Sequence, residues 1–174
     1  MKYSLARSYE ILDRTPAVLQ ALLDSLPDDW VMPNEGPDTF SPYDVVGHLI
    51  HGEKTDWVPR IKKVLEFGNI QAFDKYDRFA QYELSKGKTL QQLLDEFTAL
   101  RKENMVWFKS LNLSETDLDK TGMHPVLGEV TLRNLLATWV VHDLTHISQV
   151  TRVMAKQYKT EMGPWPQFFR ILDF

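Results

Sequence analysis

Histidine carries most of the candidate chemistry in this chain, at His48, His51, His124, His142 and His146. The sharpest arrangement is His142-Asp143-Leu144-Thr145-His146. Histidines four apart on a helix stand one above the other, so both imidazoles can reach one ion. Going round the helix at about 100° per residue, both fall at one edge of an apolar face. They share that edge with Leu135, Trp139 and Val153. The pair therefore points to the interior of a helical domain or to its rim. Asp143 stands where the zinc protease motif H-E-x-x-H has its glutamate, so that glutamate's role is not assigned to it.

A third ligand has to come from another helix. The stretch Gly47-His48-Leu49-Ile50-His51-Gly52-Glu53 offers two candidates. Val45, Val46, Leu49, Ile50 and Trp57 define the apolar face there, and both histidines lie away from its centre. Periodicity leaves His48 and His51 equally open, and exposed helix histidines fit the same pattern. His124 precedes a proline and reads as a turn residue that could also close over a site.

The elements that must hold these side chains are helical. A first segment spans roughly residues 4–26, with Thr15-Pro16 as an internal start signal that divides it in two. A second opens on Ser41-Pro42-Tyr43-Asp44, a serine cap followed by proline and an acid, and runs to about Phe67 before Gly68. Pro59 predicts a kink within it. A third opens on the capping box Thr89-Leu90-Gln91-Gln92 and runs to about Leu111. A fourth runs from Thr131 to about Tyr158. The connections at 69–88 and 112–130 are long, and long loops in compact domains are often functional. No convincing strand pattern appears, although Gly128-Glu129-Val130 fits a small extended turn. Four amphipathic segments predict an all-α four-helix bundle, with long connections free to cross over it. The tail from Gly163 through Phe168, Phe169, Ile171, Leu172 and Phe174 is apolar enough to pack on the domain or on a second subunit.

Bulk composition narrows the function classes. The chain has 174 residues, 43% hydrophobic and 25% charged, which suits a single domain over residues 1–174. It has no cysteine, which removes disulfides, thiolate ligands and a cysteine nucleophile. Net charge is −4, and the best basic cluster, Arg60-Ile61-Lys62-Lys63, reads as the solvated side of a helix. Nucleic acid is not the expected partner. No secretory core or membrane-length apolar run is evident, so a cytoplasmic protein is expected.

Two stretches resemble the DinB/YfiT-like family of metal-dependent enzymes: Ser41 through Glu53, and Thr131-Leu132 with Trp139 through Gln149. Arg14-Thr15-Pro16 and Gly163-Pro164-Trp165 extend the resemblance over nearly the whole chain. It implies a four-helix bundle with a crossover connection. It also implies a metal site of one histidine from the second helix and an H-x-x-x-H pair from the last, which are His48, His142 and His146 here. The implied cofactors are a divalent ion, with zinc or nickel foremost, and a low-molecular-weight thiol. Glu53, Asp56, Asp143 and Gln149 are candidates for orienting the rings, with ordinary solvated or N–H-satisfying polar residues as the plainer reading. His51 is a candidate general base. The resemblance thus implies a hydrolase, or a small-thiol-dependent transferase, acting on a small molecule. The apolar tail motivates an expected homodimer and an alternative: a non-catalytic, stress-associated binding bundle with a structural or vestigial metal.

Overall fold

The computed structural model describes residues 2–173. The first segment is two short helices, α1 (Leu5–Leu12) and α2 (Thr15–Leu23). After a one-turn helix, α3 (Asp28–Val31), the second segment is α4 (Pro42–Thr55) with α5 (Trp57–Phe67). A short helix, α6 (Gln81–Ser85), lies in the connection to α7 (Leu90–Ser110). Then come α8 (Glu115–Leu118), strands β1 (Thr121–His124) and β2 (Gly128–Thr131), and α9 (Leu132–Lys156). The long helices start where their caps direct. Ser41, Thr89 and Thr131 each accept from the backbone N–H three residues on, and the side chain there returns the bond.

Two expectations need correction. Gly128-Glu129-Val130 is part of a true antiparallel hairpin, in which Thr121 faces Thr131 and His124 faces Gly128. The period-2 pattern of such short strands is too brief to read from sequence. The break in the second segment falls at Asp56 (φ −112°, ψ −73°), before Pro59. Proline has no N–H for the carbonyl of Thr55, and its ring crowds that carbonyl. The first helix therefore ends at Thr55, and Pro59 sits in the first turn of the next, where a missing N–H is harmless.

The core has two apolar layers. One holds Leu12, Trp57, Ile61, Met105, Phe108, Leu136 and Trp139. The other holds Leu19, Leu49, Leu94, Phe97 and Val150. The first segment and α9 enter the first layer and leave through the second, whereas the second segment and α7 run the opposite way. The second and third segments are therefore parallel, and residues 68–88 must travel the length of the bundle between them. This is the crossover. It lays α6 on α4, at a point where a Cβ on Gly47 would meet Ser85 Oγ at 2.3 Å. The connection from α7 to α9, by contrast, joins ends at the same layer. Of the C-terminal tail, Leu172 is buried and the 3₁₀ turn Arg170–Leu172 packs on α9, while Trp165, Phe168, Phe169 and Ile171 are exposed. Phe174 lies outside the described residues.

Candidate metal centre

Between the apolar layers lies a polar one, and every segment contributes to it. Arg101, only 1% exposed, reaches from α7 into the middle of the bundle. Its Nη2 donates to Glu53 Oε1 on α4 (2.8 Å), and its Nη1 to Asp143 Oδ2 on α9 (2.5 Å) and to the Leu12 carbonyl on α1 (2.8 Å). Asn104 Nδ2 donates to the other oxygen of Glu53 (2.9 Å). Burial works against the guanidinium charge, but the two carboxylates outweigh it and hold the pKa above its ordinary value. Glu53 and Asp143 are thus buried acceptors for the N–H groups of Arg101 and Asn104, which is the N–H-satisfying form of the plainer reading and not the solvated one. Sequence reasoning missed Arg101. Its signal was its place in an otherwise apolar stripe, between Phe97 and Met105 at helical spacing.

The same layer brings three histidines together. His48 comes from α4; His142 and His146 come from α9. His142 Nε2 lies 3.1 Å from His48 Nε2 and 3.2 Å from His146 Nε2, and one nitrogen from each ring falls within 4.8 Å of the other two. His48 is buried although it lies off the centre of α4's sequence-defined apolar face. α4 is covered by α6, α7 and α9 together, so almost no side of it is solvated.

Desolvation, then the neighbouring histidines, holds His48 down to about 3 and His142 down to about 2. Burial also lowers His146, against a hydrogen bond that its ring donates to Gln149. All three are therefore neutral near pH 7. His48 Nδ1 is 3.2 Å from the Tyr76 hydroxyl, and His146 Nδ1 is 2.8 Å from Gln149 Oε1. An Nδ1–H donated to each of those oxygens leaves both Nε2 lone pairs facing inward. His142 Nδ1 has no hydrogen-bond partner among the described residues. Its ring is set by packing against the edge of Trp57 (5.0 Å), which in turn stacks on Trp139 (5.7 Å). Converging lone pairs repel unless a cation lies among them. Nitrogen ligands at tetrahedral zinc stand about 3.4 Å apart, close to the separations here. The donor set fits a divalent ion of the borderline kind.

The histidines face a cavity of about 510 Å³ that is also lined by Asp56, Trp57, Arg60, Tyr76 and Arg78. Asp56 pairs with Arg60 at 2.5 Å, yet burial pushes its carboxyl up to about 6. His124 lines the cavity too, and also serves its turn, since its Nδ1 accepts from the backbone N–H groups of Val126 (3.2 Å) and Leu127 (3.1 Å). The structure does not bring His51 to the other three. Its ring packs on the Tyr76 ring (4.9 Å), and it lines a separate recess with Thr55 and Asp77. Tyr76 and Arg78, both on the crossover, carried no periodic signal in the sequence.

A crossover four-helix bundle with a histidine cluster facing a cavity defines the class. The DinB superfamily model matches residues 11–150, and the chain belongs to that superfamily. Among solved structures it is similar to YfiT from Bacillus subtilis, with 22% identity, 90% of each chain covered and a TM-score of 0.76. That protein is described as "a probable metal-dependent hydrolase with an unusual four-helix bundle topology". Comparison with curated proteins returned no match. Among the described residues, no helix is long and apolar enough to cross a membrane.

Proposed function

We propose that the chain is a metal-dependent enzyme acting on a small molecule, as a hydrolase or as a transferase that uses a small thiol. The observation that carries this reading is the convergence of three neutral imidazoles at the wall of a cavity large enough for a substrate. His48, His142 and His146 would hold the ion. A divalent ion held by these three imidazoles would supply Lewis acidity, lowering the pKa of a water or thiol and polarising a reacting group. Asp56 is the group placed to accept or return a proton, because a carboxyl near 6 changes state close to neutral pH. Arg60 fixes that carboxylate. Trp57 and Phe73 wall the cavity with apolar surface that limits water. With no cysteine in the chain, a reacting thiol has to arrive with the substrate. Net charge −4 supports a small-molecule substrate over nucleic acid, and the lack of cysteine supports a cytoplasmic setting.

The test is to assay protein loaded with zinc, nickel or manganese against ester and amide substrates, and against epoxides with added thiols. Turnover that needs the thiol assigns the transferase; turnover without it assigns the hydrolase. Activity unchanged in His146→Ala would sink the metal mechanism.

The exposed Trp165, Phe168 and Phe169 favour a second reading, a homodimeric binding bundle without turnover. A dimer in solution, with bound metal and no activity on any of these substrates, is the outcome that selects it.

A further inference from the structure

The charges around the cavity do not balance. Three charged side chains line it besides the neutral histidines: Asp56, Arg60 and Arg78. Arg60 and Asp56 answer each other, and the Arg60 guanidinium also lies over the Phe73 ring (5.3 Å). Arg78 lines the cavity from a solvent-exposed position and makes no ion pair among the described residues. Its one hydrogen bond is a 3.3 Å donation from Nη2 to the Asp38 carbonyl.

Arg78 is nevertheless held in place. Its guanidinium carbon lies 5.3 Å from the centroid of Phe40 and 4.8 Å from that of Phe79. Stacking occupies the faces of a guanidinium and leaves its edge, with its N–H donors, free. Phe40 in turn packs against the His48 ring (5.3 Å). Arg78 and His48 therefore both pack against the Phe40 ring and line the same cavity. The positive edge and the histidine cluster thus belong to one space, and Trp57, Phe73, Val130 and Leu135 give that space apolar walls.

Resting on the small-molecule site proposed above, we infer that its substrate carries an oxyanion, a carboxylate or a phosphate, on an apolar body, and that Arg78 binds the oxyanion. A planar guanidinium donates two parallel N–H bonds to either group, and the aromatic walls take the remainder. Among the described residues Arg78 is the one charged side chain of the cavity wall without a protein counter-charge, and the anion would supply it.

The test uses chelator-treated full-length protein, so that no probe gains affinity by coordinating an ion. The probes are 3-phenylpropionate, 2-phenylethyl phosphate and the neutral 3-phenylpropanol, with binding followed by calorimetry and by tryptophan fluorescence. Wild type should bind at least one anion about tenfold or more tightly than the alcohol, a preference that falls with added salt. Arg78→Gln should abolish the preference and leave the alcohol's Kd unchanged; Arg78→Lys should keep part of it; Lys159→Gln, at an exposed position away from the cavity, should keep all of it. The tighter of the two anions names the source. Equal binding of anion and alcohol, a preference that survives Arg78→Gln, or no binding of any probe overturns the inference. Metal content, measured separately, decides the enzyme reading, so the two can fail independently.

Discussion

His48 and His142 stand 94 residues apart in the chain, yet their Nε2 atoms meet at 3.1 Å across the contact between α4 and α9. Neutral nitrogens held this close, with His146 completing the set, predict metal binding in solution. Protein purified without chelator or affinity tag should contain about one divalent ion per chain by elemental analysis. His142→Ala should lose it. A metal-free wild type that stays so after incubation with zinc, nickel and manganese would show that the histidines are structural.

Without the ion, the cluster should make the protein sensitive to acid. The unfolded histidines titrate near 6.5, whereas burial holds His48 at about 3 and His142 at about 2 in the fold. Below about pH 6.5 the unfolded chain binds protons that the folded one refuses, so stability falls with falling pH, by up to roughly 1.4 kcal/mol per pH unit for each histidine. The loss continues until the folded groups titrate, at about 3 for His48 and about 2 for His142. Urea melts of chelated protein at pH 7.5, 6.0 and 5.0 check this; midpoints that do not move would contradict it.

Asp56 works in the other direction. Its carboxyl lies at about 6 in the fold against an ordinary 3.8. Its contribution to stability is therefore full below about pH 4 and is lost as pH rises through 6. Asp56→Asn, which never ionises, should melt higher than wild type at pH 8, with the gain shrinking toward pH 4. A constant difference across that range would mean that Asp56 titrates normally.

Arg101 holds the polar layer closed. Replacing it with leucine leaves Glu53 and Asp143 buried without their cation, and breaking such a pair costs about 3–5 kcal/mol. Denaturant titration should show a loss of that size, large enough to leave little folded protein at 37 °C. Arg101→Lys should recover only part, because one ammonium cannot reproduce the forked bonds to both carboxylates. A wild-type midpoint for Arg101→Leu would mean that the charges are not needed to hold the helices together.

Tyr76 should tune the ion through His48. Tyr76→Phe removes the oxygen beside His48 Nδ1 and frees the ring. Competition with a chromophoric chelator should show metal affinity falling about 10–100-fold, with the melting temperature of the metal-free protein little changed. Equal affinity would place the hydroxyl outside the ligand network.

Local signals carried much of this protein into the sequence. Ser41, Thr89 and Thr131 announce three helix starts through short-range capping chemistry, and each start lies where the motif sets it. The His142–His146 spacing is equally local, since four residues on one helix define one face whatever packs against it. The choice between His48 and His51 was not local. Both sit off the apolar face of α4, and only the descent of the crossover, with Tyr76 between the two rings, turns one toward α9 and the other into a separate recess. The Glu53–Arg101–Asp143 layer was hidden for the same reason. Each member is an ordinary charged residue on its own helix, and its burial is decided by charges brought from two other helices. Tyr76 and Arg78 lie in a segment without period, where position comes from the path of the chain across the bundle. The sequence by itself determined the helices, their caps and one edge of the site; the tertiary structure alone decided which buried charges meet and which histidine completes the cluster, because those depend on contacts between residues far apart in the chain.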